Sequence, residues 1–282
     1  MGKRRVVITG GAGYVAGRML PALRERYDLT LIDIKTVNRR DEEIEGVVVA
    51  DLLERDRDAY REYFRGADAV VHCGFVRPAK REDSYWAEAD NVNMAHNVYQ
   101  TCVEEGVRRA VVISSNHAAD YYENLIWADK MEFVTPDMLP LSDNFYGWSK
   151  ATYELLGFTF ATGGVNGGKQ LENVQIRIGG PRENDMDNCG PDDLKKMHRS
   201  LGAYLSVRDQ VQLVVKSIEA EDIKDENGVP FQIFYGVSGN MHNFWSIANA
   251  RRVIGYEPED DSQIRFAGKL GEIILAVQER GE

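Results

Sequence analysis

Residues 5–17 read RVVITGGAGYVAG, and this stretch decides the fold. A short apolar run passes directly into three closely spaced glycines, Gly10, Gly11 and Gly13, and a helical pattern follows over residues 14–26. Glycines permit the sharp turn and let the backbone approach an anion, while the N-terminus of the next helix offers free N–H groups and a positive dipole end. An ordinary strand–helix turn is the alternative, but the position between a strand and a helix favours a diphosphate-binding turn.

The rest of the chain repeats this alternation of short apolar runs and longer helical patterns. Short runs rich in Val and Ile are typical of strands in a parallel sheet that helices cover on both faces. The predicted strands are residues 5–9, 29–34, 46–50, 69–73, 110–114, 175–178 and 231–235. The predicted helices are residues 14–26, 57–64, 85–105, 144–161, 194–204, 208–220 and 246–254, with Asn144 as a cap. We expect a long loop over residues 118–142 and a flexible turn at the glycines of residues 163–168.

This alternation predicts an α/β fold, a Rossmann-type doubly wound parallel sheet with a small C-terminal substrate-binding region. The chain of 282 residues fits one large unit of this kind with a small appendage. We expect residues 1–178 to form the dinucleotide-binding domain, including the catalytic helix. Residues 179–282 would form the smaller substrate-binding region, interleaved with the sheet.

Composition excludes several classes of function. The formal net charge of −11 argues against a nucleic-acid partner, because an acidic surface repels phosphate backbones. The three cysteines, Cys73, Cys102 and Cys189, are far apart and contain no CxxC pair, so neither a disulfide framework nor a metal site is expected. That cysteine usage predicts a cytoplasmic protein. No apolar run approaches the roughly 20 residues needed to span a bilayer, so we expect no membrane integration.

Carboxylates at the ends of the second and third predicted strands bear on the cofactor. Asp33 stands where a carboxylate accepts hydrogen bonds from the adenine ribose hydroxyls of NAD, and there it would repel the extra phosphate of NADP. Three basic residues just beyond it, Lys35, Arg39 and Arg40, would oppose that preference unless they form a solvated loop, which we favour. Asp51 would contact the adenine amine or cap a helix after Leu52, and both roles remain open.

Tyr146 and Lys150 lie four residues apart near the start of a predicted helix. Residues at this spacing share one helical face, with Cβ atoms about 5–6 Å apart. An ammonium group so placed favours the phenolate form of tyrosine, whose ordinary pKa is about 10. A YxxxK pattern occurs often by chance, and its value here comes from lying downstream of a nucleotide-binding turn. The pair therefore predicts a general base.

A polar strand end lies upstream of this pair, where Ser114, Ser115, Asn116 and His117 follow an apolar run. Open α/β sheets bind their ligands at the carboxyl ends of central strands. A serine hydroxyl there can hold the substrate oxygen that the tyrosine deprotonates. A Ser/Asn-rich turn is the alternative, and His117 alone is more often structural than catalytic.

The sequence resembles the extended short-chain dehydrogenase/reductase superfamily, also called the NAD-dependent epimerase/dehydratase superfamily. Within it, the likeness is greatest to uronate dehydrogenases and to archaeal dehydrogenases that oxidise aldoses or sugar phosphates at C1. The likeness extends over nearly the whole chain, and SSNH at residues 114–117 is its most specific part. Its other elements are TGGAG at residues 9–13, Asp33, Asp51, Leu52, Asn91, the tyrosine pair at 121–122, YxxxK at 146–150, RIG at 177–179, LSVRD at 205–209 and YGVSGN at 235–240.

The resemblance implies a role for each matching residue. Ser115, Tyr146 and Lys150 would carry catalysis, and Asn116, His117 and Arg199 would bind the sugar, Arg199 through an anionic or hydroxyl-rich end. The residues expected to bind NAD are Gly10, Gly13, Tyr14, Val15, Asp33, Asp51, Leu52, Gly74, Asn91 and Lys150. The sequence departs from the family pattern at Ala16 in the glycine turn and at Gly180, where the uronate enzymes have a substrate-binding serine. These departures bear on which substrate is used more than on the reaction. The resemblance also implies a homo-oligomer.

Three functions follow, in order of preference. The first is NAD-dependent oxidation of the C1 hydroxyl of a cyclic sugar, sugar acid or sugar phosphate to a lactone. The second is a nucleotide-sugar epimerase or dehydratase that recycles bound NAD, although the chain is shorter than most such enzymes. The third is a non-catalytic nucleotide sensor, which has no need of Ser115, Tyr146 and Lys150 together.

Overall fold

A computed structural model describes residues 2–280. The outermost residues of the two predicted regions, Met1 in residues 1–178 and Gly281 and Glu282 in residues 179–282, lie outside the described residues. Within the described part, no helix is both long and apolar enough to cross a membrane.

The core of the structure is one sheet of seven parallel strands in the order β3-β2-β1-β4-β5-β6-β7. The strand order reverses between β1 and β4, which makes the sheet doubly wound and confirms the predicted fold class. The strands are β1 (Arg5–Thr9), β2 (Asp28–Asp33), β3 (Val47–Val49), β4 (Ala69–His72), β5 (Arg109–Ser115), β6 (Glu172–Ile178) and β7 (Phe231–Gly236).

Helices occupy the connections between these strands. Within residues 2–280 they are α1 (Tyr14–Arg26), α2 (Ser84–Glu105), α3 (Glu123–Ile126), α4 (Phe145–Thr162), α5 (Leu194–Ala203), α6 (Val207–Glu219), α7 (Ala248–Ile254), α8 (Ser262–Arg265) and α9 (Ala267–Glu279). Asn144 caps α4 as predicted, because its side-chain oxygen accepts a hydrogen bond from the Gly147 N–H at 2.9 Å.

The predicted helix over residues 57–64 is wrong. The segment forms two single-turn 3₁₀ helices, Arg57–Ala59 and Arg61–Tyr63, which meet at Tyr60 with φ −145° and ψ −8°. The apolar spacing that suggested a helix still buries Tyr60 and Phe64 completely. Packing of these two rings therefore determines the segment, while the backbone breaks between them.

The loop expected over residues 118–142 is only partly irregular. A 3₁₀ helix, Asn116–Tyr122, begins at the polar strand end and continues directly into α3. Ser115 caps it by accepting a hydrogen bond from the His117 N–H. This added structure matters because it places Glu123 beside the cleft described below. The C-terminal helix α9 was also missed by sequence analysis.

A buried ion pair fixes helix α4 to the sheet. The Glu154 carboxylate accepts hydrogen bonds from Nε and Nη2 of Arg177, at 2.8 and 2.7 Å, and from the Ser114 hydroxyl at 3.0 Å. Arg177 also donates to the Tyr235 hydroxyl at 2.9 Å. The four residues come from α4, β6, β5 and β7, so one network orients the helix that carries Tyr146. Removing one partner of such a pair costs about 3–5 kcal/mol.

Candidate active site

A cleft of about 1850 Å³ opens at the carboxyl ends of the central strands. It contains the glycine turn at one end and the polar end of β5 at the other. The predicted site residues that line it are Gly10, Gly13, Tyr14, Val15, Asp33, Asp51, Leu52, Gly74, Ser115, Asn116, His117, Tyr146, Lys150 and Arg199. The fold therefore brings together residues that are almost 190 positions apart in the chain.

The glycine turn packs tightly against neighbouring backbone and leads into an uncapped helix. Gly10 has φ +65°, and a Cβ there would lie 2.7 Å from the backbone of Cys73 and Gly74. A Cβ on Gly13 would lie 2.9 Å from the carbonyl oxygen of Gly10. Gly13 is also the N-cap of α1, where no side chain caps the helix and no acidic residue stands in the first turn. The first N–H groups of α1 thus remain available to an anion, which fits a dinucleotide diphosphate.

The two carboxylates at the cofactor end are held by backbone N–H groups. Asp33 accepts from the N–H of Ala12 at 3.0 Å and from that of Ile34 at 2.7 Å, so it connects the end of β2 to the glycine turn. Asp51 accepts from the Leu53 N–H at 2.9 Å, which is the capping role that the sequence left open. It caps a turn and not a helix. Both side chains still border the cleft.

The three basic residues beyond β2 differ in their positions. Lys35 and Arg39 line the cleft, and the guanidinium carbon of Arg39 lies 4.1 Å from the centre of the Tyr14 ring. Arg40 does not line the cleft. Arg39 therefore stacks on Tyr14 at the edge of the cofactor end. The sequence had favoured a solvated loop for all three residues.

Asn91 is the one predicted cofactor residue that the structure places behind the cleft wall. Its side-chain oxygen accepts from the Val76 N–H at 2.7 Å, and its amide nitrogen donates to the Val76 carbonyl at 2.9 Å and to Glu88 at 3.2 Å. The amide is buried and fully used. Asn91 thus holds the backbone of Val76, which itself lines the cleft.

Tyr146 lies against Ser115 and His117 at the end of β5. Burial raises the pKa of the Tyr146 hydroxyl, and a hydrogen bond with Ser115 opposes that rise. The His117 ring meets the tyrosine ring edge-on with centroids 5.5 Å apart. A phenol and an imidazole, both groups that act in general acid–base catalysis, therefore lie close to the Ser115 hydroxyl.

Lys150 is buried below this point. Its Nζ donates to the Ile113 carbonyl at 3.2 Å and lies 5.8 Å from the centre of the Tyr146 ring. Burial lowers the pKa of its ammonium group to about 8, although the carboxylate of Glu88 opposes the shift. Glu88 also lines the cleft, and burial raises the pKa of its carboxyl group. Lowering of the Tyr146 pKa by Lys150 stays a prediction.

Asn116 and His117 present different atoms to the cleft. Asn116 is buried, and its side-chain nitrogen has no hydrogen-bond partner. His117 Nδ1 lies 2.8 Å from a carboxylate oxygen of Asp120, and Asn144 donates to the same oxygen. Burial raises the pKa of the Asp120 carboxyl, but the hydrogen bonds from His117, Ser142 and Asn144 outweigh it and lower the pKa below its usual value. Asp120 therefore fixes the imidazole in place.

Arg199 already has an acidic partner. Its Nε and Nη2 donate to the two carboxylate oxygens of Glu123 at 2.7 and 2.9 Å. Lys195, four positions before Arg199 on α5, lies with its Nζ 5.1 Å from the centre of the Trp127 ring. Both cations line a second cavity of about 460 Å³ that adjoins the main cleft and shares His117 with it. Contact between Arg199 and a substrate stays a prediction.

Three acids near the chemistry were missed by sequence analysis. Glu88 stands three residues before Asn91 on the same helical face, and Asp120 stands three residues after His117, so local spacing gave a signal for both. Glu123 had none, because its partner lies 76 positions away. Among residues 2–280, no cluster of three or more His, Cys, Asp or Glu side chains is arranged to hold a metal ion.

Comparison with known proteins agrees with this geometry. The model of the NAD dependent epimerase/dehydratase family matches residues 6–162. An NAD-dependent glucose-6-phosphate dehydrogenase of Haloferax volcanii is 31% identical and covers 94% of this chain and 97% of its own length. An L-arabinose 1-dehydrogenase (NAD(P)(+)) of the same organism is 30% identical over 92% of this chain and 97% of its own.

A solved structure gives the same picture of the fold. The glucuronic acid dehydrogenase of Chromohalobacter salexigens superposes with a TM-score of 0.74 over 95% of this chain and 89% of its own, at 24% identity. The resemblance to sugar dehydrogenases that the SSNH segment suggested is confirmed. The relatives named above act on different sugars, so the match alone does not name a substrate.

Proposed function

Because the chain belongs to the NAD-dependent epimerase/dehydratase family, we propose that it oxidises the C1 hydroxyl of a cyclic sugar to a lactone. The observation that carries the proposal is the meeting of Ser115, Tyr146 and Lys150 in the cleft that also contains the glycine turn. The names of the relatives support it, since all three describe sugar dehydrogenases and one specifies C1.

NAD is the cofactor, and when bound it would supply the hydride acceptor for oxidation of the sugar carbon. Gly10 and Gly13 would lie against its diphosphate, Asp33 would bind its adenine ribose, and Lys150 would hold its nicotinamide ribose. The glycine turn fits this ligand because it leads into the uncapped N-terminus of α1, whose first turn holds no acidic residue.

The chain's own residues would handle the proton. Tyr146, as phenolate, would take the proton of the C1 hydroxyl while the C–O bond becomes a carbonyl. Ser115 would orient that hydroxyl. The charge of Lys150 would favour the phenolate against the burial that raises the pKa of Tyr146.

Residues 179–282 would supply part of the sugar-binding side. Arg182, Asp185 and Arg199 line the cleft from this region. The same region also contributes β7 to the sheet, so we propose a division by role between residues 1–178 and 179–282.

NADH absorbance during a screen of free aldoses, uronates and sugar phosphates tests the function. We expect NADH with at least one free sugar, and Tyr146→Phe should lower the rate by 10²–10⁴-fold because it removes only the base. Binding of NAD by the variant, measured by calorimetry, should be unchanged. Retention of more than about a hundredth of the rate would place the base elsewhere.

A further inference from the structure

The ion pair between Glu123 and Arg199 stands at the boundary between the main cleft and the adjoining cavity. Its two parallel hydrogen bonds have the fork geometry that arginine forms with carboxylates, so the side of the guanidinium that suits an acid best is occupied. The two side chains are 31% and 11% exposed for Arg199 and Glu123, and therefore only partly screened by water. The pair of Arg199 and Glu123 therefore has a net charge of zero, whereas Arg199 alone would have a charge of +1.

Carboxylates also stand close to the neighbouring cations. Arg182 on the cleft wall lies 3.9 Å from a carboxylate oxygen of Asp185, which lines the same cleft. The adjoining cavity is lined by three cations and four carboxylates, namely Lys195, Lys196 and Arg199 against Asp120, Glu123, Asp143 and Asp193. An anionic substituent placed there would meet more negative than positive charge.

Uncharged polar groups remain for the substrate. The side-chain nitrogen of Asn116 is buried without a partner, and a buried donor of this kind is unfavourable until an acceptor satisfies it. His117 is held through Nδ1 by Asp120, which leaves its other ring nitrogen for a sugar hydroxyl. Hydroxyl groups both donate and accept, so they suit this set better than a carboxylate does.

We propose that the substrate is a neutral aldose and that Glu123 is a specificity-determining residue, because it cancels the charge of Arg199. This rests on the proposed oxidation at C1. Specificity of this kind excludes the wrong substrate as much as it attracts the right one. The anionic group of a uronate or a sugar phosphate would have to bind the Arg199 guanidinium while Glu123 is already bound to it.

The kcat/KM values of the wild type for a neutral aldose, the matching uronate and the matching 6-phosphate test the proposal. We expect the neutral sugar to exceed both acids by at least tenfold. In Glu123→Gln, the KM for the uronate should fall by more than tenfold, because Arg199 regains a free charge while the side-chain volume is kept. Glu132→Gln, which removes the same charge from an exposed position, should leave every value unchanged.

The double variant Glu123→Gln with Arg199→Met again has no net charge at this pair. Its KM for the uronate should return towards the wild-type value. A wild-type preference for the uronate or the phosphate would overturn the proposal and leave the oxidation at C1 intact. An unchanged uronate KM in a folded Glu123→Gln variant, with folding checked by circular dichroism and NAD binding, would also overturn it. Absence of NADH with every sugar would instead reject the proposed function, and this inference with it.

Discussion

The cofactor end and the sugar end of the cleft are built in different ways. At the cofactor end, Gly10, Gly13 and Asp33 lie within 24 residues of each other and are connected through backbone N–H groups. At the sugar end, Glu123 and Arg199 come from helices 76 positions apart and meet only through their side chains. One end depends on local backbone geometry, and the other depends on long-range side-chain pairing.

This difference explains why the chemistry is easier to infer than the substrate. A glycine turn between a strand and a helix requires particular residues at fixed spacing, and such spacing can be seen in a sequence. An arginine that is free to bind a carboxylate and an arginine that is neutralised by a glutamate have the same local sequence. Whether the charge of Arg199 is free or neutralised can therefore be seen only in the folded structure.

The largest effect at the cofactor end concerns Asp33. Replacement by Asn keeps a side-chain oxygen for the Ala12 N–H and removes the charge that would repel a 2′-phosphate. We expect the ratio of kcat/KM for NAD over NADP to fall by about a hundredfold, or roughly 2.7 kcal/mol. Kinetics with both cofactors and one saturating sugar measure this ratio.

The matched control is Asp28→Asn, at the exposed start of the same strand, which should leave the ratio unchanged. If wild type already uses both cofactors equally, Arg39 is the first residue to examine, because it stacks on Tyr14 beside the site. Such a result would mean that cofactor choice, like the charge at the sugar end, depends on side-chain pairing and not on local backbone geometry alone.

A second contrast concerns the dependence of stability on pH, which separates the two ends by their histidines. His72 ends β4 beside the glycine turn, 2.7 Å from the Thr9 hydroxyl, and burial lowers its pKa from 6.5 to about 3. Between these values the unfolded chain binds a proton that the folded protein does not bind. His72 thus costs no stability above pH 6.5, and stability falls by about 1.4 kcal/mol per pH unit as the pH drops from 6.5 towards 3.

His72→Asn should remove that part of the slope, which denaturant unfolding at several pH values between 4 and 7 would measure. The comparison is His198→Asn at the sugar end. Burial, followed by the charge of His242, also lowers the pKa of His198, but this side chain is more exposed and its replacement should change the slope much less. If the two substitutions changed the slope of stability with pH equally, the expected difference between His72 and His198 would be wrong.

Much of the fold was predictable because its signals are local. The strand and turn at residues 5–13, the capping of α4 by Asn144 and the i,i+4 pair of Tyr146 and Lys150 need only neighbouring residues. The helix expected over residues 57–64 failed because the same apolar spacing suits two packed rings on a broken backbone. Helix α3 follows from how the polar end of β5 folds back, for which no periodic signal exists.

The central claim is oxidation at C1, and transfer of an isotope tests it most directly. The sugar that gives the most NADH is supplied with deuterium at C1, and both products are followed by mass spectrometry. We predict that the deuterium passes into NADH and that a lactone forms in equal amount. Formation of unlabelled NADH, with the deuterium retained in the sugar product, would contradict the claim, because the hydride would then leave from a carbon other than C1.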